Sequence, residues 1–274
     1  MNAITLSSLP MTAAHRRLRI ALITETWPPE INGVARTVEQ LLAGLLANGH
    51  QVQLIRPRQD DQDCPLRHPD LEEILCTGLP LPMYREVRIG LASARRLRRL
   101  WRAGPPDVVH VVTPGPLGWS ALNAARQLQL PLVTGFHTHF HTYSRHYRLG
   151  MLHPLVVGWL RRFHNRGHLT LVPTDEVGGQ LASLGISNCR VLARGVDTRL
   201  FSPARRDAAL RESWGAGPQD CVVACVGRLA AEKNLELAVQ AFLAIRQDNP
   251  GSRFVLVGDG PLAARLRRRH PGFI

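Results

Sequence analysis

The sequence predicts an α/β protein built from two successive Rossmann-like units, the first complete (residues 1–193) and the second incomplete (residues 194–274). Three observations carry that expectation. Short, nearly continuous apolar runs recur, as in Arg17 to Thr24 (RLRIALIT), and this is the pattern of parallel strands buried on both faces. Each run is followed by a loop marked with Gly or Pro and then by an amphipathic helix, so the elements alternate β-α-β. Finally, Arg194 to Asp207 (RGVDTRLFSPARRD), with turn chemistry at Gly195 and Pro203, separates one such series from the next. A chain of 274 residues with 45% apolar content is long enough for one large or two modest domains and their cores.

Taken in order, the strand at Arg17 leads to Pro28-Pro29 and an Asn32-Gly33 turn. A helix with Val38, Leu41, Leu42, Leu45 and Leu46 on one side follows and ends at Asn48-Gly49. Gln51 to Arg56 is a second strand. Residues 57–86 are Pro-rich and expected to be irregular, with a short strand at Glu73 to Thr77, before a basic helix over Gly90 to Ala103. Strands at Asp107 to Val112, Leu132 to Phe136, Leu169 to Pro173 and Cys189 to Ala193 alternate with helices at Pro116 to Gln129, Met151 to Arg166 and Asp175 to Leu184, the last capped by Thr174. After the linker come a strand at Cys221, a helix to Gln247 with Leu235, Leu237, Ala238, Ala241, Phe242 and Ile245 on its apolar side, a strand at Phe254 to Val257, and Gly258-Asp259-Gly260-Pro261 opening a last helix.

The net charge of +13 comes mostly from arginines clustered at Arg85 to Arg102, Arg145 to Arg166 and Arg265 to Arg269. Such a balance suits anionic partners: nucleotide phosphates, an anionic membrane face or nucleic acid. Aromatic residues make up only 5% and no nucleic-acid module is visible, so nucleic acid is excluded as the expected partner. Five cysteines show no C-x-x-C spacing; Cys221 and Cys225 are expected on one face of a strand as buried thiols, which fits a reducing cytosol. Residues 1–15 lack the apolar segment of a signal peptide, and no run reaches the roughly 20 residues that cross a bilayer. A soluble cytoplasmic protein is expected, with any membrane contact peripheral, on the inner face of the cytoplasmic membrane.

The stretch Cys221 to Val239 (CVVACVGRLAAEKNLELAV) organises the rest. Arg228 falls at a strand's carboxyl end and Lys233, the only lysine in the chain, at a helix's amino end. Ligands bind there in open α/β sheets, and unpaired helix N–H groups attract anions. Gly33, before the first helix, leaves a backbone N–H able to face a phosphate; the absence of G-x-G-x-x-G argues against an ordinary nicotinamide or flavin enzyme. His137, His139 and His141 alternate in HTHFHTYSRHY. Such spacing can ligate zinc, but Pro131 to Gly167 contains no Asp or Glu to complete a site, so His137 is read first as a substrate contact. Gly33, His137, Gly195, Arg228 with Lys233, and Gly258 to Gly260 all follow predicted parallel strands.

The pieces PPEINGVARTVEQLLAGLLANGHQV, TGFHTHFHTYSRHYRLGM, ARGVDTRLFSP, VGRLAAEKNLELAVQAF and VLVGDGPL together resemble the retaining glycosyltransferases of family 4, with their two-Rossmann-domain GT-B architecture. The RGVDTRLF form is similar to bacterial GDP-mannose-dependent α-mannosyltransferases, some acting on lipid or glycolipid acceptors. The resemblance implies transfer of a hexose, mannose above others, from a nucleotide diphosphate sugar to a lipid or saccharide acceptor with retention and without a metal or other cofactor. It implies that the N–H of Gly33 touches the donor diphosphate, that Arg228 and Lys233 neutralise it, that the loop around Gly260 lies near the nucleotide base, and that His137 contacts the transferred sugar. The first domain would take the acceptor side and the second the donor side, where GDP-mannose is expected.

Arg194 to Ile274 is shorter than the roughly 150 residues of such a domain, and the family's downstream glutamate pair and returning terminal helix are not seen. Impaired activity is expected if the chain ends at Ile274. Two readings from other classes stand beside the transferase: a non-catalytic remnant that binds nucleotide, or docks on anionic lipid through Arg95 to Arg102, and a zinc-dependent hydrolase built on His137 and His139.

Overall fold

The computed structural model describes residues 16–30, 32–81, 84–137 and 153–270. They form two compact units, the first running to Arg194 and the second from Gly195.

In the first unit eight strands make one sheet. They are β1 (Arg19–Ile23), β2 (Gln51–Pro57), β3 (Leu71–Leu81), β4 (Tyr84–Leu91), β5 (Val108–Val111), β6 (Leu132–Gly135), β7 (Leu169–Val172) and β8 (Cys189–Val191), in the order β4-β3-β2-β1-β5-β6-β7-β8. All pairs are parallel except β3–β4. The alternation of side chains along β1 splits the core in two. Ala21 and Ile23 face a cluster containing Leu97 and Trp101 of α2 (Ala94–Ala103), Leu117, Ala121, Leu122, Ala124 and Ala125 of α3 (Pro116–Gln127), and Phe163 of α4 (His153–His164). Leu22 faces the other side, with Val38 and Leu42 of α1 (Gly33–Ala47). A further helix, α5 (Asp175–Ser183), is capped by Thr174, whose hydroxyl accepts from the Val177 N–H, and packs Val177 and Leu181 beside Val172 and Phe136.

The structure departs from the sequence reading over residues 57–91. The expected short strand is the start of the eleven-residue β3, which turns into an antiparallel hairpin with β4. Proline hid it. Pro80, however, lies beyond Cys76, the last residue of β3 paired with β2, so its missing N–H removes no bond on that side. Gly90 belongs to β4, not to the basic helix: a Cβ there would come within 2.8 Å of Leu117, so only a bare Cα lets the strand lie against α3. The helix begins four residues later, where the Ser93 hydroxyl accepts from the Arg96 N–H.

The second unit contains α6 (Ala208–Ser213), β9 (Val222–Val226), a 3-10 turn (Ala231–Lys233), α7 (Leu235–Asp248), β10 (Arg253–Val257) and α8 (Ala263–Arg269). β9 and β10 pair in parallel, giving the expected β-α-β unit. The buried face of α7 is Leu235, Val239 and Phe242, with Phe242 stacked on Phe254 at 5.0 Å. Leu237 is 57% exposed and Ala241 is exposed, because the i, i+4, i+7 stripe passes through Val239 instead. Cys221 is exposed and precedes the strand, and Cys225 is half-buried; they are not a pair of core thiols.

Candidate functional site

From β1 the first unit's chain winds to β2, β3 and β4 on one side, and from β5 to β6, β7 and β8 on the other. Adjacent β1 and β5 therefore form the topological switch point, where crevices open beyond the strands' carboxyl ends. Two helix N-termini lie there. At α1, the Asn32 side chain accepts from the Val34 and Ala35 N–H groups at 2.8 Å each, and the Gly33 N–H donates to no group among the described residues. At α3, Glu25 fills the corresponding position. Its Oε1 accepts from the Leu117 N–H at 2.9 Å, its own N–H donates to Thr113 Oγ1 at 2.9 Å, and a Cβ on Gly115 would overlap its carboxylate. Burial pushes the Glu25 carboxyl up to about 7, against the hydrogen bonds from Leu117, Gly90, Thr113 and Gly115 that favour the anion. One helix end at the switch point is thus stoppered by the chain's own carboxyl group and the other is not.

His137 follows β6, half-buried, with its Nε2 sealed from solvent and without a hydrogen-bond partner among the described residues. Burial, with the nearby Arg194 cation as the second cause, holds its pKa down at about 4, so the ring is neutral at pH 7. Arg194 follows β8 and links two of the predicted residues: its Nη2 donates to the His137 carbonyl oxygen at 3.2 Å, and its Nη1 lies 3.6 Å from where a Cβ of Gly33 would be. Gly33 and His137 therefore meet around one guanidinium. His139 and His141 lie outside the described residues, among which no three His, Cys, Asp or Glu side chains are gathered for a metal ion.

In the second unit, the loop after β9 and the loop after β10 are stitched together. The Gly227 N–H donates to the Val257 carbonyl at 2.9 Å, Leu229 N–H to Asp259 at 2.8 Å, and Leu262 N–H to Leu229 at 2.9 Å. Gly258 (φ 142°) and Gly260 (φ 154°) are required here. A Cβ on the first would overlap the Gly227 carbonyl oxygen, and one on the second would lie 2.5 Å from that of Leu229. Arg228 and Gly260 are consequently neighbours. Arg228 pairs with Glu232 one turn on, and Lys233 ends the 3-10 turn, exposed, just before Asn234 swings through φ 47° into α7.

Sequence reasoning missed three residues here. Glu232 stands four positions after Arg228, a spacing that signals an ion pair. Arg194 was assigned to the linker, although a charge directly after a parallel strand is itself a pointer to a crevice. Glu25 had no signal beyond its place after β1.

Comparison with known proteins agrees with this layout. The Glycosyltransferase Family 4 model matches residues 31–200 and the Glycosyl transferases group 1 model residues 207–270. The chain belongs to glycosyltransferase family 4, an α/β fold of GT-B type. It is 34% identical over 262 residues to a GDP-mannose-dependent alpha-mannosyltransferase of Corynebacterium glutamicum, covering 94% of this chain and 62% of that one. A protein of the same name from Mycolicibacterium smegmatis is 33% identical over 257 residues, covering 91% of this chain and 65% of the other. The chain thus spans somewhat less than two thirds of the length of these curated relatives. Among solved structures, sucrose-phosphate synthase from Thermosynechococcus elongatus shares the fold with a TM-score of 0.67 at 18% identity, over 93% of this chain and 67% of that one.

Proposed function

We propose that the chain is a retaining hexosyltransferase that moves mannose from GDP-mannose to a lipid or saccharide acceptor. The observation that carries this reading is the 33–34% identity, over more than nine tenths of the chain, to proteins named for that donor. In it the first unit takes the acceptor and the second the donor. Breaking the anomeric C–O bond builds negative charge on the departing diphosphate and positive charge on the sugar. The Gly33 N–H, Arg228 and Lys233 meet the first of these charges without a metal or other cofactor. His137 serves the second: a ring neutral at pH 7 contacts the sugar without opposing its positive charge. The loop at Gly260 lies against the guanine. Among the described residues no helix is long and apolar enough to cross a membrane, and the proposed setting is the inner face of the cytoplasmic membrane, held peripherally by anionic lipid.

The test measures binding of GDP-mannose, UDP-glucose and GDP alone to the chain, followed by nucleotide release with an α-mannoside or a glycolipid as acceptor, with and without EDTA. Preference for GDP-mannose and indifference to EDTA are expected. Preference for UDP-glucose would overturn the donor assignment, and failure to bind any nucleotide sugar would overturn the transferase activity proposed for this chain.

A further inference from the structure

Two histidines in the first unit have no part in the transfer as proposed: His110 on β5 and His164 at the end of α4. They are 7% and 1% exposed. The Nε2 atoms of His110, His137 and His164 are all sealed from solvent, and none has a hydrogen-bond partner among the described residues. Folded proteins seldom leave buried ring nitrogens so, and three in one neighbourhood point to a shared polar space.

Gly135, the last residue of β6, shows where that space is. A Cβ built on it would lie 2.5 Å from Nε2 of His137 and 3.3 Å from Nε2 of His110. The two nitrogens converge over a Cα that carries no side chain. His164 is fixed beside them through the preceding residue: its Nδ1 lies 2.9 Å from Thr134 Oγ1, which lies 3.0 Å from Thr170 Oγ1. Burial keeps all three rings neutral, with pKa values of about 4, 4 and 3 for His110, His137 and His164, and repulsion from a protonated His137 is the second cause that lowers each of the other two. In a neutral imidazole Nε2 is a donor in one tautomer and an acceptor in the other, so two Nε2 edges turned into one space without a direct bond still bear on each other's tautomer and plane. The three are not arranged as ligands of one metal ion.

We infer that His110 and Gly135 are positioning residues for His137: the polar space over Gly135 holds the His137 ring by its Nε2 edge, leaving only the opposite edge to meet a sugar. This rests on the proposed role of His137 at the donor sugar. The glycine is what admits the ring, and His110 is what orients it.

The experiment uses the full chain with ¹⁵N-labelled histidine, as wild type, His110→Phe and Gly135→Ala, and reads the His137 ring-nitrogen shifts by long-range ¹H–¹⁵N correlation. Both substitutions are expected to move the His137 Nε2 signal and change its tautomer balance. With GDP-mannose, kcat should fall about 10- to 100-fold while KM stays within about twofold, because a displaced ring loses alignment and not donor affinity. Unchanged His137 nitrogen signals in His110→Phe would overturn the inference. Should the variants not fold, the wild type decides: a nuclear Overhauser contact between the His110 and His137 rings supports the cluster and its absence refutes it. Shifted His137 signals in a chain that turns over no nucleotide sugar would support the cluster and sink the transferase reading instead.

Discussion

Mild acid should unfold the first unit, and the imidazole cluster sets the size of the effect. His110 and His137 titrate near 4 in the folded chain, against 6.5 when unperturbed, because burial disfavours the charged ring. A shift of that size corresponds to about 3 kcal/mol per histidine, and His164, near 3, adds a larger amount of the same sign. Since the folded pKa values are depressed, this stability is fully present above pH 6.5 and is lost progressively as pH falls toward 4. Glu25 acts oppositely: its folded pKa of about 7 exceeds the ordinary 4.5, so its contribution, also about 3 kcal/mol, is present below 4.5 and lost as pH rises through 7. Three imidazoles outweigh one carboxyl. Against the roughly 5–15 kcal/mol of a typical domain, the net loss is large. The assay is urea unfolding followed by tryptophan fluorescence in steps from about pH 7 to about pH 5, a range in which unperturbed carboxylates stay largely ionised. Four of the five tryptophans (Trp27, Trp101, Trp119 and Trp159) report on this unit. An unfolding free energy that is flat or rises on acidification would refute the claim that these rings are buried neutral.

Three further outcomes are expected. Gly258→Ala forces a side chain into φ 142° and onto the Gly227 carbonyl, at a cost of about 1–3 kcal/mol for the backbone alone, seen as a lowered melting temperature of the second unit. Arg56 is 2% exposed and bridges Asp63 and Glu73, each at 2.5 Å; Arg56→Met strands both carboxylates and should destabilise the first unit by about 3–5 kcal/mol in urea titrations. Lys233→Ala should slow nucleotide release from GDP-mannose about a hundredfold under the proposed mechanism while leaving the melting temperature unchanged, since the side chain is exposed.

Much of the fold was legible because apolar runs and caps are local signals. IALI in β1, the Asn32-Gly33 turn and the Thr174 cap each mark an element without reference to anything distant. The hairpin was not, because what makes Pro80 tolerable is the point at which β2 stops pairing with β3, a fact about another strand. Gly90 likewise reads as a helix start until Leu117 is placed against it. For the candidate site, Gly33, His137, Arg228 and Gly260 were proposed from the sequence because glycines, a histidine cluster and a strand-to-helix turn stand out in the chain. Arg194, Glu25 and His110 were not, since their meaning comes from partners 57, 92 and 25 or more positions away.

The stitching of the two loops after β9 and β10 has a kinetic consequence. Backbone hydrogen bonds from Gly227, Leu229 and Leu262 have already ordered both segments, so the entropy of arranging them is incurred when the unit folds, not when a ligand arrives. A nucleotide settling across Arg228 and Gly260 would therefore meet a prepared surface, and its association with this unit would follow a single exponential whose rate rises linearly with ligand concentration, without a slow ordering phase.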